Sequence, residues 1–162
     1  MADRARVYVE TTVISYLTAL PSSEVVMAAH QQITKEWWET RRIAFEVFAS
    51  QLVRQEAAEG DSAAAAKRLE VIDSLPLLLI TPDANRLAAA LSRALRLPAR
   101  ASADAAHIAL AVINGMDYLI SWNCRHIANA HLRSTIDNVC ESFGYATPCI
   151  CTPEELLENP EP

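Results

Sequence analysis

The sequence predicts an α/β protein, a three-layer α/β/α sandwich around a central, mostly parallel sheet of four to five strands. Three observations carry that reading. Short apolar segments of strand character recur along the chain, helical stretches of ten or more residues alternate with them, and no linker, internal repeat or low-complexity tract divides the chain. Strands alternating with helices are joined by right-handed crossovers, which build a parallel sheet. At 162 residues the chain suits a single domain, residues 1–152, with an acidic tail over 153–162. That length buries roughly two thirds of the unfolded surface.

The elements follow in order. Arg6 to Glu10 reads as a buried strand, and Thr11 and Thr12 are candidate caps for a short helix through Leu20. Pro21-Ser22-Ser23 breaks it. Glu24 to Arg41 carries Val25, Val26, Ala29, Ile33 and Trp37 at helical spacing, and Ile43 to Ala49 is a second strand. Ser50 caps a helix holding Leu52, Val53 and Glu56 that ends near Gly60, and Ser62 to Ser74 is an alanine-rich helix. Leu77 to Ile80 is the third strand and Asp83 to Leu95 a helix. Ser102 caps a helix from Ala103 to Asn114, and Tyr118 to Ser121 is the fourth strand. Ile127 to Gly144 is mainly helical, Ala146 to Cys151 is a fifth strand, and the end from Pro153 to Pro162 reads as a helical turn and a loose tail. Gly60, Gly115 and Gly144 each follow a helical segment, where a left-handed residue ends the helix.

Composition excludes several function classes. No apolar run approaches the ~20 residues of a bilayer span, and the start, Met1 to Arg6, has no apolar leader, so a cytoplasmic protein is expected. A net charge of −6 leaves no broad basic face for duplex DNA. Twelve of the fourteen basic residues are Arg, which grips phosphate bidentately from a small patch, so a nucleic-acid substrate stays open. Three isolated glycines cannot write a P-loop or a dinucleotide fingerprint, and there is no G-x-S-x-G elbow. Cys124, Cys140, Cys149 and Cys151 form no C-x-x-C pair and read as reduced thiols. The one arrangement offering zinc ligands is Cys149-x-Cys151 with Cys124 and His126.

Ligands of open parallel sheets bind at the carboxyl ends of the strands, where strand order reverses. That rule selects Glu10 at the end of the first strand, Glu56 after the second, Asp104 at the start of the helix before the fourth, and Asn123 just after it. Crowded carboxylates repel one another and need a cation or shared protons. Oxygen ligands suit Mg²⁺ or Mn²⁺, which lower the pKa of water and stabilise the leaving oxygen of a phosphodiester. Plainer explanations stand beside these. Glu56 shares a helix face with Glu59, Asp104 complements a helix N-terminus, Asn123 suits a turn, and His107 among Ile108, Ala111 and Val112 suits a packed core edge. Arg125, His126 and Asn129 crowd the proposed site as phosphate or supporting contacts, or as solvated turn residues. Trp37, Trp38 and Trp122 read as packing aromatics.

The segments Val7-Tyr8-Val9-Glu10-Thr11-Thr12, Asp104-Ala105-Ala106-His107-Ile108-Ala109 and Tyr118-Leu119-Ile120-Ser121-Trp122-Asn123-Cys124-Arg125-His126-Ile127-Ala128-Asn129 resemble the PIN-domain family. The likeness is closest to VapC-like toxins of type II toxin–antitoxin systems and spans residues 6–157. It implies an α/β/α sandwich, a Mg²⁺- or Mn²⁺-dependent endoribonuclease, an RNA substrate such as tRNA or mRNA, homodimers, and an antitoxin partner that blocks the site. By position it makes Glu10, Glu56, Asp104 and Asn123 the catalytic and metal-binding set. Their neighbours Thr11, Thr12, His107, Ser121, Arg125, His126 and Asn129 are the expected substrate or supporting residues. Two departures stand out. Most PIN nucleases carry Asp at the first position, although a subgroup with the Trp-Asn-Cys-Arg-His block uses Glu, and Asn123 replaces the commoner Asp, which weakens a second metal. The alternative is a PIN-like module whose metal site has weakened and which binds RNA or a protein. An aspartyl-nucleophile phosphatase is disfavoured, because Glu10 stands where that chemistry wants Asp.

Overall fold

The computed structural model describes residues 3–158. Five strands, β1 (Ala5–Val9), β2 (Phe45–Ser50), β3 (Leu77–Leu78), β4 (Tyr118–Ile120) and β5 (Cys149–Cys151), form one sheet in the order β3-β2-β1-β4-β5. Every pairing is parallel. A parallel sheet is covered on both faces, so its strands are apolar throughout. Accordingly Val7, Tyr8, Val9, Leu119 and Ile120 are all fully buried. Among the described residues seven α-helices cover it: α1 (Thr11–Thr18), α2 (Val25–Glu36), α3 (Gln51–Ala57), α4 (Ser62–Asp73), α5 (Pro82–Ala94), α6 (Ser102–Ile113) and α7 (Arg133–Ser142). Helices α1 to α4 pack among themselves, and α5 packs on α6 and α7, which makes the two outer layers of the expected sandwich.

The chain steps outward from β1 to β2 and β3, then returns to lay β4 and β5 on the other side of β1. Strand order therefore reverses between β1 and β4, and a crevice opens above their carboxyl ends. Glu10 follows β1, Ser121 to Asn123 follow β4, and Ser50 ends β2 as the cap of α3, its hydroxyl accepting from the Val53 amide at 3.0 Å.

Local details depart from the sequence reading for identifiable reasons. Glu10, rather than either threonine, caps α1, accepting from the Thr12 amide at 3.2 Å. The long second helix ends as α2 at Glu36 and continues as a π-helical turn, Trp37–Arg41. There the Trp37 indole is fully buried and stacks against Phe45, ring centres 6.0 Å apart. Ser102 does not cap α6. Ala101 holds that position with no side-chain bond, because a 3₁₀ turn, Ala99–Ala101, leads into the helix and ties the Ala101 amide to the Pro98 carbonyl at 2.8 Å. The segment from Ile127 turns helical only at Ala130, where Asn129 accepts from the His131 amide at 2.9 Å and starts a 3₁₀ turn before α7. The third and fifth strands are shorter than expected, at Leu77–Leu78 and Cys149–Cys151. Gly60, Gly115 and Gly144 have φ of 82°, 62° and 81°, the left-handed helix stops that their positions call for. Pro153–Leu156 forms a 3₁₀ turn, and the end of the expected loose tail, residues 159–162, lies outside the described residues. Among the described residues no helix is long and apolar enough to cross a membrane.

Candidate metal centre

The strand ends bring Glu10, Glu56 and His107 together. One ligand atom from each lies within 4.8 Å of the other two, the one such group of three His, Cys, Asp or Glu among the described residues. Glu10 is 4% exposed. Its Oε2 accepts from the Thr12 hydroxyl at 2.6 Å, the Ser121 hydroxyl at 2.7 Å and the Thr12 amide. Three donors on one oxygen fix the carboxylate and leave Oε1 facing His107, whose Nε2 lies 3.9 Å away. Glu56, half-buried on α3, bonds through Oε1 to His107 Nε2 and to the Thr11 hydroxyl, both at 2.6 Å.

His107 is 1% exposed, and its other nitrogen, Nδ1, bonds to the Tyr8 hydroxyl at 2.7 Å; that hydroxyl lies 2.8 Å from Ser50 Oγ. The ring is thus held at both nitrogens, the arrangement by which a neighbouring group fixes the orientation of a ligand histidine. Tyr8 and Ser50, which the sequence offers only as a strand residue and a helix cap, join the site through these bonds. The signal is present in the sequence, because Glu10 continues the extended backbone of β1 two residues past Tyr8 and so shares its face. Burial lifts the Tyr8 phenol well above 10.0, helped by the Glu10 and Glu56 charges against the Ser50 bond, so the phenol stays neutral.

The electrostatics explain how the acids are tolerated. Burial alone favours neutral His107, but the Glu56 hydrogen bond and the charges of Glu10, Glu56 and Asp104 outweigh it and raise its pKa above 6.5. Burial likewise works against ionised Glu56, and the His107 bond and charge with the Thr11 hydroxyl overcome it and hold Glu56 below 4.5. Among the described residues no Arg or Lys pairs with Glu10, Glu56 or Asp104. A divalent cation and the His107 proton therefore compete for the same small space.

A raised histidine stabilises the fold fully below its unfolded pKa of 6.5, and that contribution drains as pH rises through the folded value. A lowered Glu56 contributes fully above 4.5 and loses it as pH falls through its folded value. Urea unfolding midpoints measured in chelator are expected to be highest between about pH 4.5 and 6.5 for this pair. His107→Gln should remove the decline on the alkaline side, and an identical decline in that variant would contradict the pairing.

The remaining predicted residues form a second group beside the first. Asp104, in the first turn of α6, lies outside the three-atom group and bonds to His126 Nδ1 at 2.8 Å. Asn123 Oδ1 accepts from the His126 amide at 3.0 Å, so its side chain shapes the turn that presents His126 to Asp104. Thr11, Thr12 and Ser121 support the carboxylates directly. Arg125 is exposed, its carbonyl accepting from Asn129 at 3.0 Å, and the Asn129 side chain is committed to that bond and to its helical turn. All four cysteines are free, and Cys149, Cys151, Cys124 and His126 do not converge into a zinc-like group among the described residues.

The chain matches no family model, no curated protein and no solved structure.

Proposed function

We propose that the protein is a metal-dependent endoribonuclease that cleaves RNA phosphodiesters with an activated water. The observation that carries this reading is the Glu10, Glu56, His107 group at the switch point of a parallel sheet, with ligand atoms within 4.8 Å and no Arg or Lys paired with its carboxylates among the described residues. The donor set fits a divalent ion. Glu10, Glu56 and His107 would hold it, and Asp104, three residues before His107, adds negative charge beside it. The two carboxylates suit Mg²⁺ or Mn²⁺, and the imidazole nitrogen is a ligand more usual for a transition ion than for Mg²⁺. A bound ion of this kind supplies a water of lowered pKa and charge stabilisation for the leaving oxygen. The chain itself holds the carboxylates in place through Thr11, Thr12 and Ser121, while the Asp104–His126 pair at the rim is placed to take up or deliver a proton.

The resemblance to VapC-like PIN toxins agrees with this reading and extends it to a toxin blocked by an antitoxin. Exposed Leu20, Val25 and Val26, 61–82% accessible around the start of α2, support a protein partner, whether an antitoxin or a second copy in a homodimer. The second reading, a module that binds without cutting, is favoured by one feature: Asp104 and Asn123 both spend their side chains on His126.

Incubation of the purified chain with single-stranded RNA separates the two. Cleavage is expected with Mn²⁺ or Mg²⁺ and none with chelator, and Asp104→Ala should lower the rate at least about a hundredfold with the fold intact. RNA that is bound but left whole at millimolar metal would establish the binding module instead.

A further inference from the structure

Edge strand β5 carries two thiols on one face, because alternate residues of a strand point the same way. Cys149 is exposed and Cys151 buried, and both are free. They line a cleft of about 500 Å³ together with Arg41, Tyr118 and Glu155. This face is remote in function from the carboxylates, yet joined to them by two hydrogen bonds. The Ser121 amide donates to the Cys151 carbonyl at 3.0 Å, and the Ser121 hydroxyl donates to Glu10 Oε2 at 2.7 Å.

We propose that Cys149 and Cys151 form a thiol–disulfide exchange site whose closure bends β5 away from β4 and loosens Ser121. Geometry supplies the coupling. Residues two apart along a strand are separated by about 6.4–6.8 Å, the upper end of what a disulfide spans, and the bond needs Cβ atoms only about 3.5–4.5 Å apart. The backbone at Ile150 must therefore leave the pleat when the sulfurs join. The bonds at stake are those that hold β5: the Cys149 amide to Asp117 at 2.9 Å, Ser121 to Cys151, and Arg133 Nη2 to the Ile150 carbonyl at 2.6 Å.

The chemistry runs with a small-molecule disulfide as oxidant. The exposed Cys149 thiolate attacks one sulfur, forms a mixed disulfide and expels one thiolate, which takes up a proton. Cys151 then gives up its proton and attacks the Cys149 sulfur, expelling the second thiol. Two protein thiols are oxidised and one external disulfide becomes two thiols. Exposure assigns the first attack to Cys149, and burial, with the adjacent Cys149 thiol and Glu155, keeps the Cys151 thiol protonated until the mixed disulfide forms beside it.

The test uses the full chain treated with oxidised glutathione, read by peptide mass mapping and by hydrogen exchange at the Ser121 amide. The expected product is an intrachain Cys149–Cys151 bond with two glutathiones released per chain. Exchange at Ser121 should quicken about tenfold, the scale of one lost backbone bond, and dithiothreitol should reverse both. Cys149→Ser should block the bond and keep the slow exchange of the reduced protein. Glutathione retained on Cys149, a bond to Cys124, to Cys140 or between chains, or a closed pair with unchanged Ser121 exchange would overturn the proposal. The exchange site stands on β5 alone, and neither readout involves metal or RNA, so its failure is distinct from failure of the nuclease reading.

Discussion

Glu10→Gln is expected to lower Mn²⁺ affinity by more than the ~10–100-fold that losing an outer supporting group costs a metal site, and to reduce RNA cleavage to background. The variant keeps the shape of the side chain. A glutamine oxygen can still accept from Thr12 and Ser121, so α1 retains its cap and the fold should hold. What disappears is a buried negative charge beside His107, along with one of the three ligand atoms. The same change removes one of the charges that raise His107, so its pKa should fall. Calorimetric titration with Mn²⁺ checks the first effect and imidazole NMR the second. An affinity equal to that of the parent chain would remove Glu10 from the candidate metal site, and with it the central support for the proposed nuclease activity.

The largest stability effect is expected from Leu119→Ala. Leu119 is fully buried in the middle of β4, in register with Tyr8 on one side and Ile150 on the other. Truncating a buried leucine costs about 2–5 kcal/mol, the spread reflecting how far the surroundings collapse into the cavity. A strand paired on both sides has little room to collapse, which argues for the upper half of that range. A loss of that size is a large fraction of the ~5–15 kcal/mol that holds a typical domain folded. Urea unfolding should show a lower midpoint at unchanged slope, and Leu119→Met, which preserves volume, should cost less than about 1.5 kcal/mol. An alanine variant within about 1 kcal/mol of the parent would mean that β4 is not packed as the structure has it.

Much of the architecture is legible in the linear chain because its signals are local. The strand at Val7-Tyr8-Val9, the Ser50 cap and the three glycine stops each depend on a few neighbouring residues, and each appears where the pattern puts it. The misplaced boundaries are those where a particular packing or turn contact decides, which the residue pattern does not report. Trp37 is buried against Phe45 in a turn that ends the regular helix, and Ser102 yields the capping position to a 3₁₀ turn closed on Pro98. The carboxylates show the same division. Glu10 is legible because a lone acid closing a buried strand at a sheet's carboxyl edge has few plain explanations. The task of His107 is not, because the spacing from Asp104 to His107 is equally that of a packed core edge.

Periodicity alone determined that this is an α/β fold with a parallel sheet, and the strand order of such a sheet directs attention to Glu10 at the carboxyl end of its first strand. Which side chains meet was decided by the tertiary structure. Only when β1 and β4 lie side by side, with α3 and α6 closing over them, does His107 reach Glu56 at 2.6 Å while Asp104 turns to His126. The physical reason is that strand and helix periods report which face a residue occupies, whereas a bond between residues 51 apart depends on how two faces dock.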